Sequence, residues 1–255
     1  MSFASVSFLL FFLVVLLLLL LVQRVLPFAE IKRRIICQGI LLIASYVFYG
    51  WWNMRLCLLL MGITWISFFT AVKKDEKHLR QSRISLLIGV GTPLAVLGIF
   101  KYYDFFVTSF CDVFHLTPGV LNLILPVGIS FYTFQALSYT IDVYTGKIEK
   151  EKSFLQFALY LSFFPQLVAG PIVKASEFLP QLKENRKVTL AGLESGIQIF
   201  VFGMFKKVVL ADNISVFVDE VYRSPQIFGS GTVALAVAAY ATVSYTHLRA
   251  HETCA

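Results

Sequence analysis

The residues of this 255-residue chain best suited to binding or acid–base work are few, and they stand inside long apolar stretches. The richest block is 125–144. On a helix its Gln135, Ser138, Tyr139 and Asp142 fall at i, i+3, i+4 and i+7, one continuous polar stripe. Polar groups inside a membrane span are costly and usually face the bundle interior or a cavity. Two readings stand side by side: a face that lines a substrate path, or hydrogen bonds that hold helices together. Asp142 closes the stripe at the expected cytoplasmic interface.

A second block covers 163–171, where Pro165 and Pro171 interrupt a helix and Gln166 lies between them. A broken helix exposes carbonyls and amides that can hold a ligand; the alternative is a plain kink packed against its neighbours. The third block, 205–213, sets Lys206 and Lys207 in an otherwise apolar stretch. Such lysines either snorkel toward headgroups or contact an anionic carrier or lipid. Glu194 and Gln198, one turn apart, are placed to pair across helices. His78 sits in a charged loop, and His115 is interfacial with no catalytic partner beside it. Up to residue 242 there is no nucleotide-binding loop, Ser/His/Asp arrangement or metal-ligand cluster. Cys37, Cys57, Cys111 and Cys254 have no paired spacing, so neither a disulfide framework nor a metal site is expected.

The elements that carry these blocks are set by hydropathy. Hydrophobic residues make up 58% of the chain and charged ones 15%, with mean hydropathy +0.76; a soluble domain carries about 25% charged residues. Residues 3–22 contain no charge and match the roughly 20 apolar residues needed to cross a bilayer. A signal peptide would need a basic n-region and a small-residue cleavage site, and neither is present. Further spans are expected at 35–52, 56–72, 84–100, 119–141, 154–173 and 190–210, with another beginning near Gly229. The fold class is therefore all-α, a polytopic membrane protein, since open strands would leave backbone groups unpaired in lipid.

The net charge of +7 lies in short loops, where it speaks of orientation rather than nucleic acid. Arg24 and Lys32–Arg34 follow the first span, only Arg55 follows the second, and Lys73, Lys74, Lys77, Arg80 and Arg83 follow the third. This alternation puts the N-terminus outside the cell membrane and places Trp51 and Trp52 at the outer interface. Block 154–173 has basic residues on both flanks, which predicts a segment that enters and returns on one side, broken midway by Pro165. Residues 102–116 read as lying in the interface. No internal repeat is evident, which counts against an inverted-repeat transporter.

Residues 243–253 break the last apolar block abruptly. They equal, residue for residue, a translation of a transposase adapter used for sequencing libraries, so 243–255 is expected to be an artefact tail on a truncated chain. The tail carries His247 and His251 at i, i+4 with Cys254 nearby, a pattern that imitates a metal site.

Taken together, 100–106, 125–146, 163–171 and 205–213, with 49–52, resemble the membrane-bound O-acyltransferases, specifically their alginate O-acetylase (AlgI-like) branch. The resemblance implies that 1–242 is the N-terminal part of one transmembrane domain of that type. It implies an enzyme that takes an acyl group, acetyl above all, from a cytoplasmic donor such as acetyl-CoA to a hydroxyl of an extracellular polysaccharide. No bound cofactor is implied. The implied partners are the lipid bilayer, the acyl donor, the polysaccharide acceptor and an extracytoplasmic acetyltransferase; nucleic acid is not among them. The family's catalytic His belongs to a later helix, and none of His78, His115, His247 or His251 matches it. No catalytic residue is therefore assigned; Gln135, Ser138, Tyr139, Asp142, Gln166 and Lys206 are the substrate-binding candidates. D-alanyl transfer to teichoic acid is the related alternative, and a transporter, flippase or non-catalytic scaffold the alternative from other classes.

Overall fold

The computed structural model describes residues 5–24, 29–73, 78–114, 119, 121, 123–167, 170, 172–184 and 189–241. Among them all regular structure is helical. The chain divides into two compact units, residues 1–168 with 172–186, and residues 169–171 with 187–255.

The first unit contains α1 (Val6–Arg24), α2 (Glu30–Gly50), α3 (Met54–Thr70), α4 (Leu79–Leu97), α5 (Tyr103–Phe114), α6 (Ile129–Tyr144), α7 (Phe154–Ser162), α8 (Phe164–Leu167) and α9 (Ala175–Lys183). A π-helical turn, Gly98–Tyr102, joins α4 to α5 without interruption. Helix α4 packs on α3 and α6, while α2 packs on α1, α3, α7 and α8. The approach of α4 depends on a missing side chain. A methyl at Gly89 would sit 2.5 Å from Thr70 Oγ1 on α3 and 3.0 Å from Thr140 Cγ2 on α6. Small residues permit such close contact where no hydrophobic force between helices operates in lipid.

The interior of this unit is aromatic and partly polar. Leu60, Ile63, Tyr132, Tyr139, Phe157 and Tyr160 are fully buried, and so are Ser45, Thr64, Ser67 and Thr133. The outside is the reverse: Leu10, Leu13 and Leu17 of α1, Trp65 and Phe69 of α3, and Leu87 of α4 are exposed. Helices Val6–Arg24 and Leu79–Phe114 are long and apolar enough to cross a membrane. Apolar surfaces around a polar-containing core are what a bilayer, not water, rewards. The chain is an all-α membrane protein.

Two expected boundaries move. The span predicted at 119–141 becomes helical only at Ile129, because Gly128 stands at φ +74° and the buried Pro126 precedes it. Residues 102–114, expected apart from the fourth span, continue it through the π turn.

The second unit contains α10 (Leu190–Phe205), a π turn Lys206–Ala211, α11 (Asp212–Arg223) and α12 (Ser230–Ala241). Thr189 caps α10, its Oγ1 accepting from the Gly192 amide at 3.1 Å. At the π turn the Asn213 side-chain amide donates to the carbonyls of Val208 (3.3 Å) and Val209 (2.8 Å). The helix therefore runs past the predicted end at residue 210. Tyr222 and Tyr240 pack α11 against α12, with ring centroids 5.9 Å apart.

Candidate functional site

The site candidates of the first unit gather around α6, α7 and the break after α7. Ser153 starts α7, its Oγ accepting from the Gln156 amide at 3.4 Å. The helix stops after nine residues because Pro165 supplies no amide hydrogen and is tolerated only in the first turn of the new helix α8. Breaking a helix inside a bundle frees backbone groups, and here they find partners. The Phe164 amide donates to Ser45 Oγ of α2 at 3.2 Å, and Ser45 passes its own proton to the Leu41 carbonyl at 2.8 Å. Gln166 Nε2 donates to the Tyr160 carbonyl at 3.0 Å, and the Tyr160 hydroxyl donates to the Val173 carbonyl at 3.2 Å. The opposite side of the break rests on Gly128. A methyl there would overlap the Leu167 carbonyl oxygen, and Tyr49 holds the adjoining turn by donating to the Val127 carbonyl at 3.0 Å.

The predicted stripe on α6 turns inward, with Gln135 and Tyr139 buried and Ser138 and Asp142 half-buried. Its members do different things. The Ser138 hydroxyl donates to the Gln135 carbonyl at 3.0 Å and faces the Tyr160 phenol. The Tyr139 hydroxyl accepts the Glu151 amide at 2.9 Å. Asp142 lies 3.6 Å from Lys147. Gln135 is 2% exposed. Ser67 Oγ of α3, Thr133 Oγ1 of α6 and Gln156 Oε1 of α7 are buried with no hydrogen-bond partner among the described residues. Buried polar atoms are nearly always satisfied, so such a group on three neighbouring helices marks an interior that takes water or a polar ligand.

One end of the unit is held by charge that sequence reasoning missed. Glu151, 5% exposed, accepts from the amides of Lys152 and Ser153 at 2.9 and 3.0 Å and pairs with Lys183 Nζ at 2.8 Å. Burial alone would push its carboxyl up; the Lys183 ammonium and the two amides outweigh it and hold the carboxyl below its ordinary value. From α2, Gln38 Nε2 donates to the Leu182 carbonyl at 2.7 Å, and an Arg34 guanidinium nitrogen donates to the Lys183 carbonyl. The entry to α7 and the exit through α9 thus meet at one place, as a segment that enters and returns on one side requires. Within the run Glu149–Lys152, Glu151 looked like any solvated loop residue; only the fold distinguishes it.

Gln166 serves the break, as described. Lys206 belongs to the second unit, where its Nζ lies 4.3 Å from the Phe202 ring centroid, while Lys207 pairs with Asp212 at 3.0 Å. His115 and the tail with His247, His251 and Cys254 lie outside the described residues, and among those described no cluster fit to hold a metal occurs.

Comparison with known proteins now bears on these elements. Residues 147–245 match the model of the membrane-bound O-acyltransferase family (MBOAT). The chain is 38% identical over 189 residues to the probable alginate O-acetylase AlgI of Pseudomonas putida, covering 72% of this chain and 39% of that protein. It is 37% identical over 206 residues to the peptidoglycan O-acetyltransferase of Helicobacter pylori, covering 70% and 39%. Similarity to the teichoic acid D-alanyltransferase of Streptococcus thermophilus is 30% over 95 residues, 36% of this chain and 23% of that one. No solved structure matches significantly. The chain spans about two fifths of the length of the first two relatives. The matched segment begins beside the Glu151 pair and runs on into α12, and the relatives extend the likeness to the membrane-bound O-acyltransferase family over some 70% of the chain.

Proposed function

We propose that the protein transfers an acyl group, acetyl in the first place, onto a hydroxyl of an extracellular polysaccharide, with the acyl group supplied from the cytoplasmic side by a donor such as acetyl-CoA. One observation carries the reading beyond the relatives' names: Ser67 Oγ, Thr133 Oγ1 and Gln156 Oε1 are buried on three mutually packed helices with no partner among the described residues, and Gln135 is buried on one of those helices. Groups whose only task was to tie helices together would have protein partners; a ligand or water completes these. Ser138, Tyr139 and Asp142 hold the helix and its exit in place beside it, and Gln166 keeps the neighbouring break closed. An acyl transfer joins the acceptor oxygen to the acyl carbon, releases the donor thiol and moves one proton, steps that a dry polar interior favours.

The orientation belongs to the same proposal. Lys73 packs against Gly146, and Arg34 and Lys183 meet at the end where α6 finishes, so basic residues from several loops share one end. That end is assigned to the cytoplasm and the N-terminus to the outside, in the cell membrane, with an extracytoplasmic acetyltransferase as the partner that completes delivery. The similarity to a D-alanyltransferase favours one second reading, D-alanyl transfer. Both are tested by deleting the gene and measuring base-released acetate and D-alanine from the cell-surface polymers. Loss of acetate, restored by the complete gene and not by its Gln135→Ala form, supports the proposal. Loss of D-alanine instead selects the second reading. Loss of neither refutes both and leaves transport or scaffolding.

A further inference from the structure

Helix α5 is more than the end of a span. The run Leu79–Phe114 has 36 residues, about 54 Å at 1.5 Å per residue. Its α4 part alone, 19 residues or about 28 Å, already matches a hydrocarbon core of roughly 30 Å. Helix α6, against which α4 packs, is shorter still at 16 residues, about 24 Å. The level at which the hydrocarbon ends is marked by two contacts. Lys101 Nζ reaches Ser130 Oγ, in the first turn of α6, at 3.4 Å, and Asp104 Oδ1 accepts from the Leu121 amide at 2.8 Å. Residues 121 and 123–126 lack regular structure and are mostly exposed. Irregular backbone exposed on the outside of a bundle does not survive in hydrocarbon, where its groups would go unpaired. The level of Asp104 is therefore the interface, and α5 continues from there.

Composition changes at the same point. Along the π turn and α5, Tyr102, Phe106, Phe110, Val113 and Phe114 fall within one arc, all exposed, while Asp104, Thr108 and Asp112 fall on the opposite arc together with a single exposed ring, Phe105. The Phe110 and Phe114 rings lie 4.5 Å apart, so the stripe is continuous. Cys111 is the one buried residue among its twelve. A two-faced helix that carries aromatics on one face and begins at the interface has the pattern of an interfacial helix, and aromatic rings are favoured at headgroup level.

We propose that α5 is a membrane-anchoring arm. It seats the Tyr102–Phe106–Phe110–Phe114 face in the headgroup–acyl boundary of the leaflet at the α6 N-terminal end, and turns Asp104, Thr108 and Asp112 to water. The polar face carries carboxylates and no basic residue, so the arm recognises the apolar boundary and not anionic headgroups. It holds the top of α4, and through Lys101 and Asp104 the entrance of α6, at fixed depth.

The test uses the full-length protein in phosphatidylcholine nanodiscs, with native cysteines replaced and a nitroxide placed singly at Phe106→Cys, Phe110→Cys, Thr108→Cys or Asp112→Cys. Collision rates with oxygen, which concentrates in lipid, and with a nickel chelate, which stays in water, are then compared. The expected result is a several-fold higher oxygen-to-nickel ratio at 106 and 110 than at 108 and 112. Uniformly low ratios, which would make the stripe a docking face for another protein, overturn the proposal, and so do uniformly high ones. Hydroxyl-radical labelling of the unsubstituted protein is independent of any disturbance by the labels. Phe106 and Phe110 should be protected, relative to the denatured chain, as strongly as the lipid-facing Phe12 of α1; labelling at denatured-chain rates refutes the arm.

Discussion

Removing the Glu151 carboxylate should cost far more than removing the lysine that pairs with it. The carboxylate is 5% exposed and takes two backbone amides besides Lys183, whereas the Lys183 side chain is 58% exposed. Hydrogen bonds to charged groups contribute about 1.5–3 kcal/mol, and orphaning buried donors costs a similar amount. Glu151→Ala therefore should destabilise the first unit by about 3 kcal/mol. Glu151→Gln keeps an oxygen for the amides and loses only the charge, for about 1–2 kcal/mol. Lys183→Ala leaves a carboxylate still held by its amides and open to water on one side, so it should cost about 1 kcal/mol or less. The Glu151→Ala, Lys183→Ala double variant should fall short of the sum, since the pair is lost only once. Denaturant titration of the full-length protein in mixed micelles, read by protease resistance of the 144–154 connection, gives all four values. A Lys183→Ala cost equal to that of Glu151→Ala would refute the reasoning, because the surface lysine would then be the anchor.

The pH dependence of the same group has a definite sign: its folded carboxyl is held below the ordinary 4.5. Its contribution is fully present above that value and is lost as pH falls through the lower folded one. The stability gap between the native protein and Glu151→Gln should be flat from pH 7 to about 5 and close on further acidification; a gap that widened in acid would contradict the assignment. Gly128→Ala should cost more than about 2 kcal/mol, combining a left-handed φ of +74° with overlap on the rigid Leu167 carbonyl. Gly146→Ala, at φ +76° but facing only the flexible Lys73 Cε at 3.2 Å, should cost about 1 kcal/mol; equal thermal shifts would discount the Leu167 contact. Gln166→Leu orphans the Tyr160 carbonyl and should cost about 1–3 kcal/mol, coupling to Ser45→Ala by more than about 0.5 kcal/mol in a double-variant cycle; strict additivity would show the two sides of the break to be independent.

Much of the fold is legible in the sequence because it is written in hydropathy and in prolines. The apolar blocks around 56–72 and 190–210 are helices, and Pro165 breaks the block that begins at residue 154. The missed features have a common physical cause. Continuation of α4 through a π turn into α5 leaves no mark in composition, since lengthening a helix by twelve residues needs no new residue type. The late start of α6 was hidden by Leu121 and Leu123–Leu125, apolar enough to read as span yet irregular before Pro126 and Gly128. Glu151 and Gln38 were invisible because their partners lie 32 and 144 residues away, in Lys183 and the Leu182 carbonyl.

The stripe on α6 shows how a pattern of residue types can be right about a face and silent about its members. Spacing put Gln135, Ser138, Tyr139 and Asp142 on one side of a helix and left two readings open. The members of the stripe differ in the bonds they make. Tyr139 and Asp142 turn to the α6–α7 connection, meeting the Glu151 amide and Lys147, and Ser138 bonds to its own helix. Those three make bonds within the fold. Gln135 is buried one to two turns deeper toward the α6 N-terminus. The buried groups without partners among the described residues, Ser67 Oγ, Thr133 Oγ1 and Gln156 Oε1, lie on α3, α6 and α7. The charged end of the stripe ties α6 to the α6–α7 connection, and we propose its uncharged end for a substrate. Gln135→Ala should accordingly lower acyl transfer while leaving stability within about 1 kcal/mol, and Asp142→Asn, which weakens only a 3.6 Å pair to an exposed lysine, should leave transfer intact and cost about 1 kcal/mol or less. The reverse pairing of effects would return the whole stripe to helix packing.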